Sequence, residues 1–160
     1  MKFFWVLALL LFGCIKEQKW SLQHVKSKKH LFDSSRLCYR TADRVNGIDI
    51  AIIHIKKKSL VYLEVHAQRI PPYLGDEKKA HLKFLSKNKE YLFQAERHTG
   101  GQRVALPNEI QDRLIELLKS SFSLTIELDG YRETIDPSSF ELLLRKLDQP
   151  FYHLPFHLSF

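Results

Sequence analysis

The chain has 160 residues, of which 44% are hydrophobic and 27% are charged, and its formal net charge is +7. These values exclude an intrinsically disordered chain, and the length fits one domain rather than several. The positive charge favours anionic partners such as lipid headgroups or glycans over nucleic acid in an exported protein, although a basic surface also serves solubility alone.

The chain begins with a short positive segment that is followed by an uninterrupted apolar run. Met1 and Lys2 precede residues 3–12 (FFWVLALLLF). A helix of about ten residues rises roughly 15 Å, which is half of the roughly 30 Å hydrocarbon core of a bilayer. The run is therefore typical of the hydrophobic region of a signal peptide rather than of a membrane-spanning helix.

The residues that end this run, Leu11-Phe12-Gly13-Cys14, resemble the lipobox of bacterial lipoproteins, in which a leucine and a small residue precede a cysteine. The resemblance implies a signal peptide over residues 1–13, cleavage before Cys14, and a diacylglycerol on the Cys14 thiol, with or without acylation of its new amine. Two or three acyl chains hold a domain stably to a bilayer, whereas one chain binds only marginally. An ordinary signal peptide cleaved elsewhere and an uncleaved short anchor remain alternatives.

The residue after the cysteine bears on the destination, by the same resemblance. Ile15 occupies the position where an aspartate commonly indicates retention in the inner membrane of proteobacteria. We therefore expect a location in the bacterial cell envelope, with the periplasmic face of the outer membrane favoured if the organism has one.

Residues 14–35 (CIKEQKWSLQHVKSKKHLFDSS) are polar and lysine-rich, with no clear period. We interpret them as a lipid-anchored basic tether, and residues 36–160 as a single globular domain. Lysines near anionic headgroups contribute up to about 1 kcal/mol each, but a plain solvated linker has the same composition. Trp20 either lies at the membrane interface or packs on the domain.

From residue 36 onward, apolar residues alternate with a period of two, as in half-buried strands. Three such runs, residues 36–41, 48–52 and 60–68, predict an antiparallel meander with one dry face. Asn46-Gly47 between the first two predicts a type I′ hairpin turn. Cys38 is interpreted as a small buried hydrophobic residue rather than as a nucleophile.

Further strands follow a proline-rich loop at residues 70–76. Residues 80–85 and 91–97 predict a second hairpin, although residues 76–85 also fit a short helix, and a short strand is predicted at residues 103–106. Asp129-Gly130 predicts another type I′ turn, between strands that begin near Phe122 and at Tyr131.

Two stretches have the spacing of amphipathic helices. Asn108 is the predicted N-cap of the first; Asp136 is the predicted cap of the second, with Pro137 at its first helical position. The apolar faces are Ile110, Leu114, Leu117 and Leu118 in the first helix and Phe140, Leu143, Leu144 and Leu147 in the second. The aromatic tail, residues 151–160, either packs on the domain as a final edge strand or docks a partner.

No motif indicates a particular reaction. The chain lacks a Gly-x-Ser-x-Gly elbow, a phosphate-binding glycine-rich loop and a His-Glu-x-x-His pair. His54 and His66 lie on neighbouring predicted strands, but no cysteine or carboxylate cluster completes the three or four ligands of a metal site. The sequence therefore predicts no catalytic, cofactor-binding or metal-binding residue, and Cys14 is the one candidate site, for lipidation.

These observations predict an α+β fold: mainly an antiparallel sheet or sandwich of about seven or eight strands, with two amphipathic helices in the C-terminal half. The expected function is that of a membrane-anchored lipoprotein that acts as a non-enzymatic binding or assembly module. Its expected partners are the membrane, through the lipid on Cys14, and an envelope protein or an anionic lipid or glycan. An envelope hydrolase with a site made of scattered His, Asp and Arg, and a structural spacer, are the alternatives.

Overall fold

The computed structural model describes residues 19–25, 33–55, 58–120 and 122–147. The strands are β1 (Trp20–Val25), β2 (Ser34–Tyr39), β3 (Asp49–Ile55), β4 (Lys58–Glu64), β5 (Lys79–Ser86), β6 (Lys89–Arg97), β7 (Arg103–Ala105), β8 (Leu124–Leu128) and β9 (Tyr131–Ile135). The helices are α1 (Asn108–Lys119) and α2 (Phe140–Leu147).

The predicted α+β class is confirmed: the described residues form one antiparallel sheet and, between residues 108 and 147, two helices. Within the described residues the sheet has nine strands rather than seven or eight, in the order β1-β2-β3-β4-β7-β6-β5-β8-β9. Every pair of neighbouring strands is antiparallel. No helix of this described part is long and apolar enough to cross a membrane.

Strand β1 lies inside the stretch that the sequence analysis assigns to the tether. It pairs with β2 from Trp20 opposite Tyr39 to Val25 opposite Ser34. Trp20 is 2% exposed and packs on Tyr39 and Phe140, so it belongs to the domain. The strand is difficult to predict from the sequence because its third inward residue is polar. This residue, His24, forms a hydrogen bond with Ser35 rather than packing on an apolar side chain. The other parts of the predicted tether, residues 14–18 and 26–32, lie outside the described residues, as does the tail.

The meander of β2, β3 and β4 is confirmed, but the predicted type I′ turn at Asn46-Gly47 is wrong, because neither residue has a positive φ. The connection is a longer loop in which Asp43 Oδ1 accepts hydrogen bonds from the backbone N–H groups of Asn46 and Val45. These two bonds lower the pKa of Asp43. Gly47 serves a close approach instead, since an added Cβ would lie 2.0 Å from Thr41 Oγ1.

The other two hairpins are confirmed. Lys87 and Asn88 connect β5 to β6 with φ values of 48° and 62°, and Asp129 and Gly130 connect β8 to β9 with 40° and 93°. Positive φ at both central residues is the requirement of a type I′ turn. Residues 79–86 form a strand, so the alternative of a helix over residues 76–85 is wrong.

The apolar faces predicted for both helices are buried, and they join the inner face of the sheet in one core. The predicted helix starts are less accurate. Pro107 takes the N-cap position of α1 without a side-chain cap, and Asn108 is already helical. In the second case a turn precedes α2: Asp136 Oδ1 accepts a hydrogen bond from the Ser138 N–H, and Ser139 has a φ of 72°.

The sheet curls so that β9 meets the end of β2 and the loop between β2 and β3. The Arg132 N–H donates a hydrogen bond to the Asn46 carbonyl over 3.0 Å. The buried carboxylate of Glu133 accepts hydrogen bonds from the Tyr39 hydroxyl (2.7 Å) and the Thr41 hydroxyl (2.6 Å). Helix α2 packs on β1 and β2 and contacts α1, on the inner side of this curl.

Candidate functional site

The strands β1 to β4 carry apolar residues on both faces of the sheet. Residues directly opposite each other on antiparallel strands share a face. Inward residues such as Ile50 and Ile52 lie opposite Leu63 and Val61 and belong to the core. The residues between them point to the other side. We define the outer apolar face by the outward apolar residues of β1 to β4 and β7: Val25, Cys38, Ala51, Ile53, Ile55, Leu60, Tyr62 and Ala105.

The members of the outer apolar face are neighbours across the strands. Cys38, Ala51, Tyr62 and Ala105 stand in one row across four strands. Ile53 opposite Leu60 forms the next row, and Ile55 and Val25 follow on either side of Ser34. None of the eight belongs to the core cluster, into which both helices bury their apolar sides. Cys38 and Ala51 are buried, Ile53, Ile55, Tyr62 and Ala105 are half-buried, and Leu60 and Val25 are 38% and 54% exposed, so the accessible part of this face lies at its Leu60 and Val25 end.

Basic side chains surround this face. Arg36 lies opposite Ile53 in the same row, and Lys58 lies opposite Ile55. Neither forms an ion pair with another of the described residues. At the opposite end of the strands, Arg40 pairs with Asp49 and Arg103 pairs with Glu64, so those charges are compensated. The uncompensated charge beside the outer apolar face is therefore positive.

Asp49, at that compensated end, is a buried carboxylate with three polar neighbours. Its Oδ1 accepts a hydrogen bond from the Thr41 N–H over 2.8 Å, while Oδ2 contacts Arg40 and lies 3.0 Å from His66 Nε2. Burial acts to raise the pKa of Asp49, but the Thr41 N–H, Arg40 and His66 outweigh it and hold the pKa below its ordinary value. The hydrogen bond to Asp49 in turn raises the pKa of Arg40. Asp49 is therefore held as a carboxylate beside the Arg40 guanidinium.

Tyr62 is the aromatic member of the outer apolar face, and its ring is held on two sides. The Arg103 guanidinium carbon lies 5.2 Å from the ring centroid, and the His98 ring meets it edge-on at 5.5 Å. Arg103 also pairs with Glu64, which fixes the guanidinium. An aromatic ring fixed in this way can present its exposed edge to a partner without a large loss of side-chain entropy.

Cys38 and Tyr39 carry nucleophilic atoms, but their surroundings suppress reactivity. Burial raises the pKa of the Cys38 thiol, and the residue is 1% exposed, which confirms its interpretation as a small buried hydrophobic residue. Burial and the hydrogen bond to Glu133 raise the pKa of the Tyr39 hydroxyl. Neither group is a reactive nucleophile near neutral pH.

Two open grooves flank the turn between β8 and β9. The larger, of about 420 Å³, is lined by His81, Lys83, Glu90, Leu92 and Glu127 among others. Lys83 lies 3.2 Å from Glu90 and 3.5 Å from Glu127, and the contact with Glu90 raises its pKa, so this charge is already neutralised. The smaller groove, of about 180 Å³, includes Val45 and Tyr131. Both are shallow surfaces rather than enclosed active-site clefts.

The structure separates the two histidines that lie on neighbouring predicted strands. His54 lies opposite Ser59, while His66 contacts Asp49 beyond the end of β4, so the two histidines do not face each other. Arg97 at the end of β6 donates hydrogen bonds to the carbonyls of Ile70 and Glu77 and ties loops together. Cys14 lies outside the described residues. Within them, no group of three or more His, Cys, Asp or Glu side chains is placed to hold a metal ion.

Sequence reasoning missed two features of β3. One is a polar row on the inner face, in which His24, Ser35, His54 and Ser59 follow one another across four strands. The other is the outer apolar face itself. The signal for it is present in residues 50–53 (IAII), which are apolar at odd and even positions, as in strands that are covered on both sides.

Comparison of the chain with protein-family models, curated proteins and solved structures finds no match.

Proposed function

We propose that this protein is a lipid-anchored lipoprotein of the bacterial cell envelope that acts as a non-enzymatic binding or assembly module. The outer apolar face is its contact surface, and the lipid on Cys14 is its attachment. The proposal draws the attachment from the resemblance of Leu11-Phe12-Gly13-Cys14 to a lipobox. It draws the contact surface from a single structural observation, an apolar sheet face that lies outside the core and is flanked by uncompensated Arg36 and Lys58.

The property that favours binding is the clustering of Val25, Ile53, Ile55 and Leu60, which are neighbours on one side of the sheet and are exposed or half-buried. Single exposed apolar residues are common on soluble proteins, whereas contiguous apolar patches bordered by polar residues mark interaction surfaces. Covering such a patch contributes about 25 cal/mol per Å² of apolar area removed from water. A partner that fits this face has an apolar surface with negative charges at its border.

A second candidate, an envelope hydrolase, has one observation in its favour. The structure brings together Arg40, Asp49 and His66, and a carboxylate that orients a histidine is the usual support of a general base. The neighbouring Thr41 hydroxyl, however, donates its hydrogen bond to Glu133. Hydrolysis of p-nitrophenyl acetate that is lost in His66→Asn and retained in His98→Asn would favour the enzyme over the binding module.

Two measurements test the proposed function. Metabolic labelling with a fatty-acid analogue should label the wild type and leave Cys14→Ser unlabelled; equal labelling of both contradicts the anchor. A photo-crosslinking amino acid placed at Leu60, on the outer apolar face, should give adducts with an envelope component. The same amino acid at Leu92, which is 64% exposed on β6, is the matched control. Equal adducts at both positions contradict the contact surface and favour a spacer.

A further inference from the structure

We infer that the outer apolar face rests on an anionic phospholipid surface, that of the same bilayer that holds Cys14. The binding partner of the outer apolar face is then the bilayer itself, and this inference rests on the proposed lipid anchor. Three properties lead to it: the short distance between the anchor and β1, the apolar side chains that are exposed or half-buried on the outer side of β1 to β4, and the distribution of positive charge among the described residues.

The distance argument begins at Lys19. Its carbonyl accepts a hydrogen bond from the Arg40 N–H over 3.0 Å, so the sheet already holds the chain at this residue. Five peptide units separate Cys14 from Lys19. Even when fully extended, they span at most about 18 Å. A lipid on Cys14 therefore keeps the Trp20 end of β1 close to the headgroups, whereas a tether running to residue 35 would let the domain stand well away from them. Val25, at the other end of β1 and about 17 Å away, reaches the same surface when the strands lie along the bilayer.

The second argument concerns which surface of the sheet faces the bilayer. Helix α2 covers the inner side of β1 and β2, with Phe140 packed on Trp20. The outer side of the same strands carries the outer apolar face. Its half-buried Ile53 and Ile55 and its exposed Val25 and Leu60 are uncharged, which suits the boundary between headgroups and acyl chains. The strands nearest to the anchor thus turn their apolar outer side toward lipid.

The third argument is electrostatic. Arg36 and Lys58 border the apolar residues and form no ion pair with another described side chain, so phosphate groups of the lipid can compensate them. Near an anionic surface each such residue contributes about 1 kcal/mol, or roughly fivefold in affinity. Neutral vesicles supply no such compensation, and binding through this face should therefore depend on anionic lipid.

The experiment uses the full chain purified from bacterial membranes and reconstituted into phosphatidylglycerol vesicles that contain brominated lipid, which quenches tryptophan fluorescence. Leu60→Trp reports on the outer apolar face, and Leu92→Trp is the matched control on the outer side of β6; the wild-type signal is subtracted from both. We expect bromine to quench the tryptophan at position 60 at least about twofold more than that at position 92, and Arg36→Gln/Lys58→Gln to reduce this difference. Equal quenching at both positions overturns the inference.

A second measurement separates this inference from the proposed anchor. The mass of the purified chain shows whether Cys14 carries acyl chains, independently of quenching. Sedimentation of the Cys14→Ser form with phosphatidylglycerol vesicles then measures the affinity of the outer apolar face for lipid without the acyl chains. Adding Arg36→Gln/Lys58→Gln should lower this affinity by a factor on the order of ten or more. If acyl chains are present but binding is unchanged by these substitutions, the anchor stands and the lipid-facing role of the face is wrong. Crosslinks from position 60 to protein alone also overturn it.

Discussion

The indole N–H of Trp20 donates a hydrogen bond to the backbone carbonyl of Asp136, 3.2 Å away and 116 residues later in the chain. Asp136 leads into α2, and Phe140 at the start of that helix packs on the same indole ring. Residues at the start of α2 therefore hold β1 in the hydrophobic core. Whatever holds the chain just before Trp20 acts directly on the folded domain.

This relationship predicts a large effect of Trp20→Ala. The substitution removes a 2% exposed ring and leaves a cavity between Tyr39 and Phe140. We expect it to lower the free energy of unfolding by about 3–5 kcal/mol. Urea unfolding of the purified protein measures this change. Leu142→Ala on the exposed side of α2 is the control and should change the free energy by less than about 0.5 kcal/mol; similar values for both substitutions would contradict the place of β1 in the core.

The carboxylate of Asp49 predicts how stability depends on pH. Its pKa is lowered in the folded state, because the Thr41 N–H, Arg40 and His66 outweigh the effect of burial. Its contribution is therefore present above the unfolded pKa of about 3.9 and is lost as the pH falls through the lower folded value.

Asp49→Asn should accordingly lower the free energy of unfolding by on the order of 2 kcal/mol at neutral pH. The difference in free energy of unfolding between the variant and the wild type should become smaller as the pH falls below about 4. Urea unfolding at a series of pH values gives both curves. A difference that stays constant down to about pH 2, or widens, would show that the ionised form of Asp49 does not stabilise the fold.

Two glycines distinguish a close contact from a turn conformation. A Cβ on Gly47 would lie 2.0 Å from Thr41 Oγ1 and 2.4 Å from the Asp43 carbonyl, whereas a Cβ on Gly130 would meet nothing within 4 Å. Gly130 has a φ of 93°, so Gly130→Ala should cost about 1–2 kcal/mol of backbone strain. Gly47→Ala should destabilise the protein more, as thermal unfolding will show. The reverse order would contradict the close contact of Gly47 with Thr41 and Asp43.

Cys38 should be unreactive in the folded protein. Its thiol is buried and its pKa is raised by that burial. In the Cys14→Ser form it is the remaining cysteine of the chain. We expect 5,5′-dithiobis(2-nitrobenzoate) to label it in denaturant and at least about a hundredfold more slowly without denaturant, because labelling requires the fold to open. Rapid labelling of the folded form would contradict the burial of this row of the outer face.

The sequence predicts those elements whose local pattern and tertiary environment agree. The apolar faces of both helices are of this kind, because the residues that their spacing places on one side are buried. The Asp129-Gly130 turn is another, because both residues have the positive φ that the dipeptide favours. Asn46-Gly47 is the opposite case. Its dipeptide preference is overridden by the loop in which Asp43 binds two backbone N–H groups and Gly47 lies against Thr41.

The candidate site could not be predicted in the same way. The outer apolar face arises from the alignment of β1 to β4 and β7, which depends on the register between strands rather than on the pattern within any one of them. In β1 the alternation of Trp20 and Leu22 with polar residues stops at His24, an inward polar residue that pairs with Ser35. The lysines around β1 in the sequence favoured a tether, and only the pairing with β2 reveals a strand.

The central claim is that a lipid on Cys14 holds this domain against a membrane of the cell envelope. Mass spectrometry of the amino-terminal peptide of the protein purified from bacterial membranes tests it most directly. The account predicts a peptide that begins at Cys14 and carries a diacylglycerol with or without an acyl chain on the amine. A peptide that begins at Met1, or at any residue with Cys14 unmodified, would contradict it.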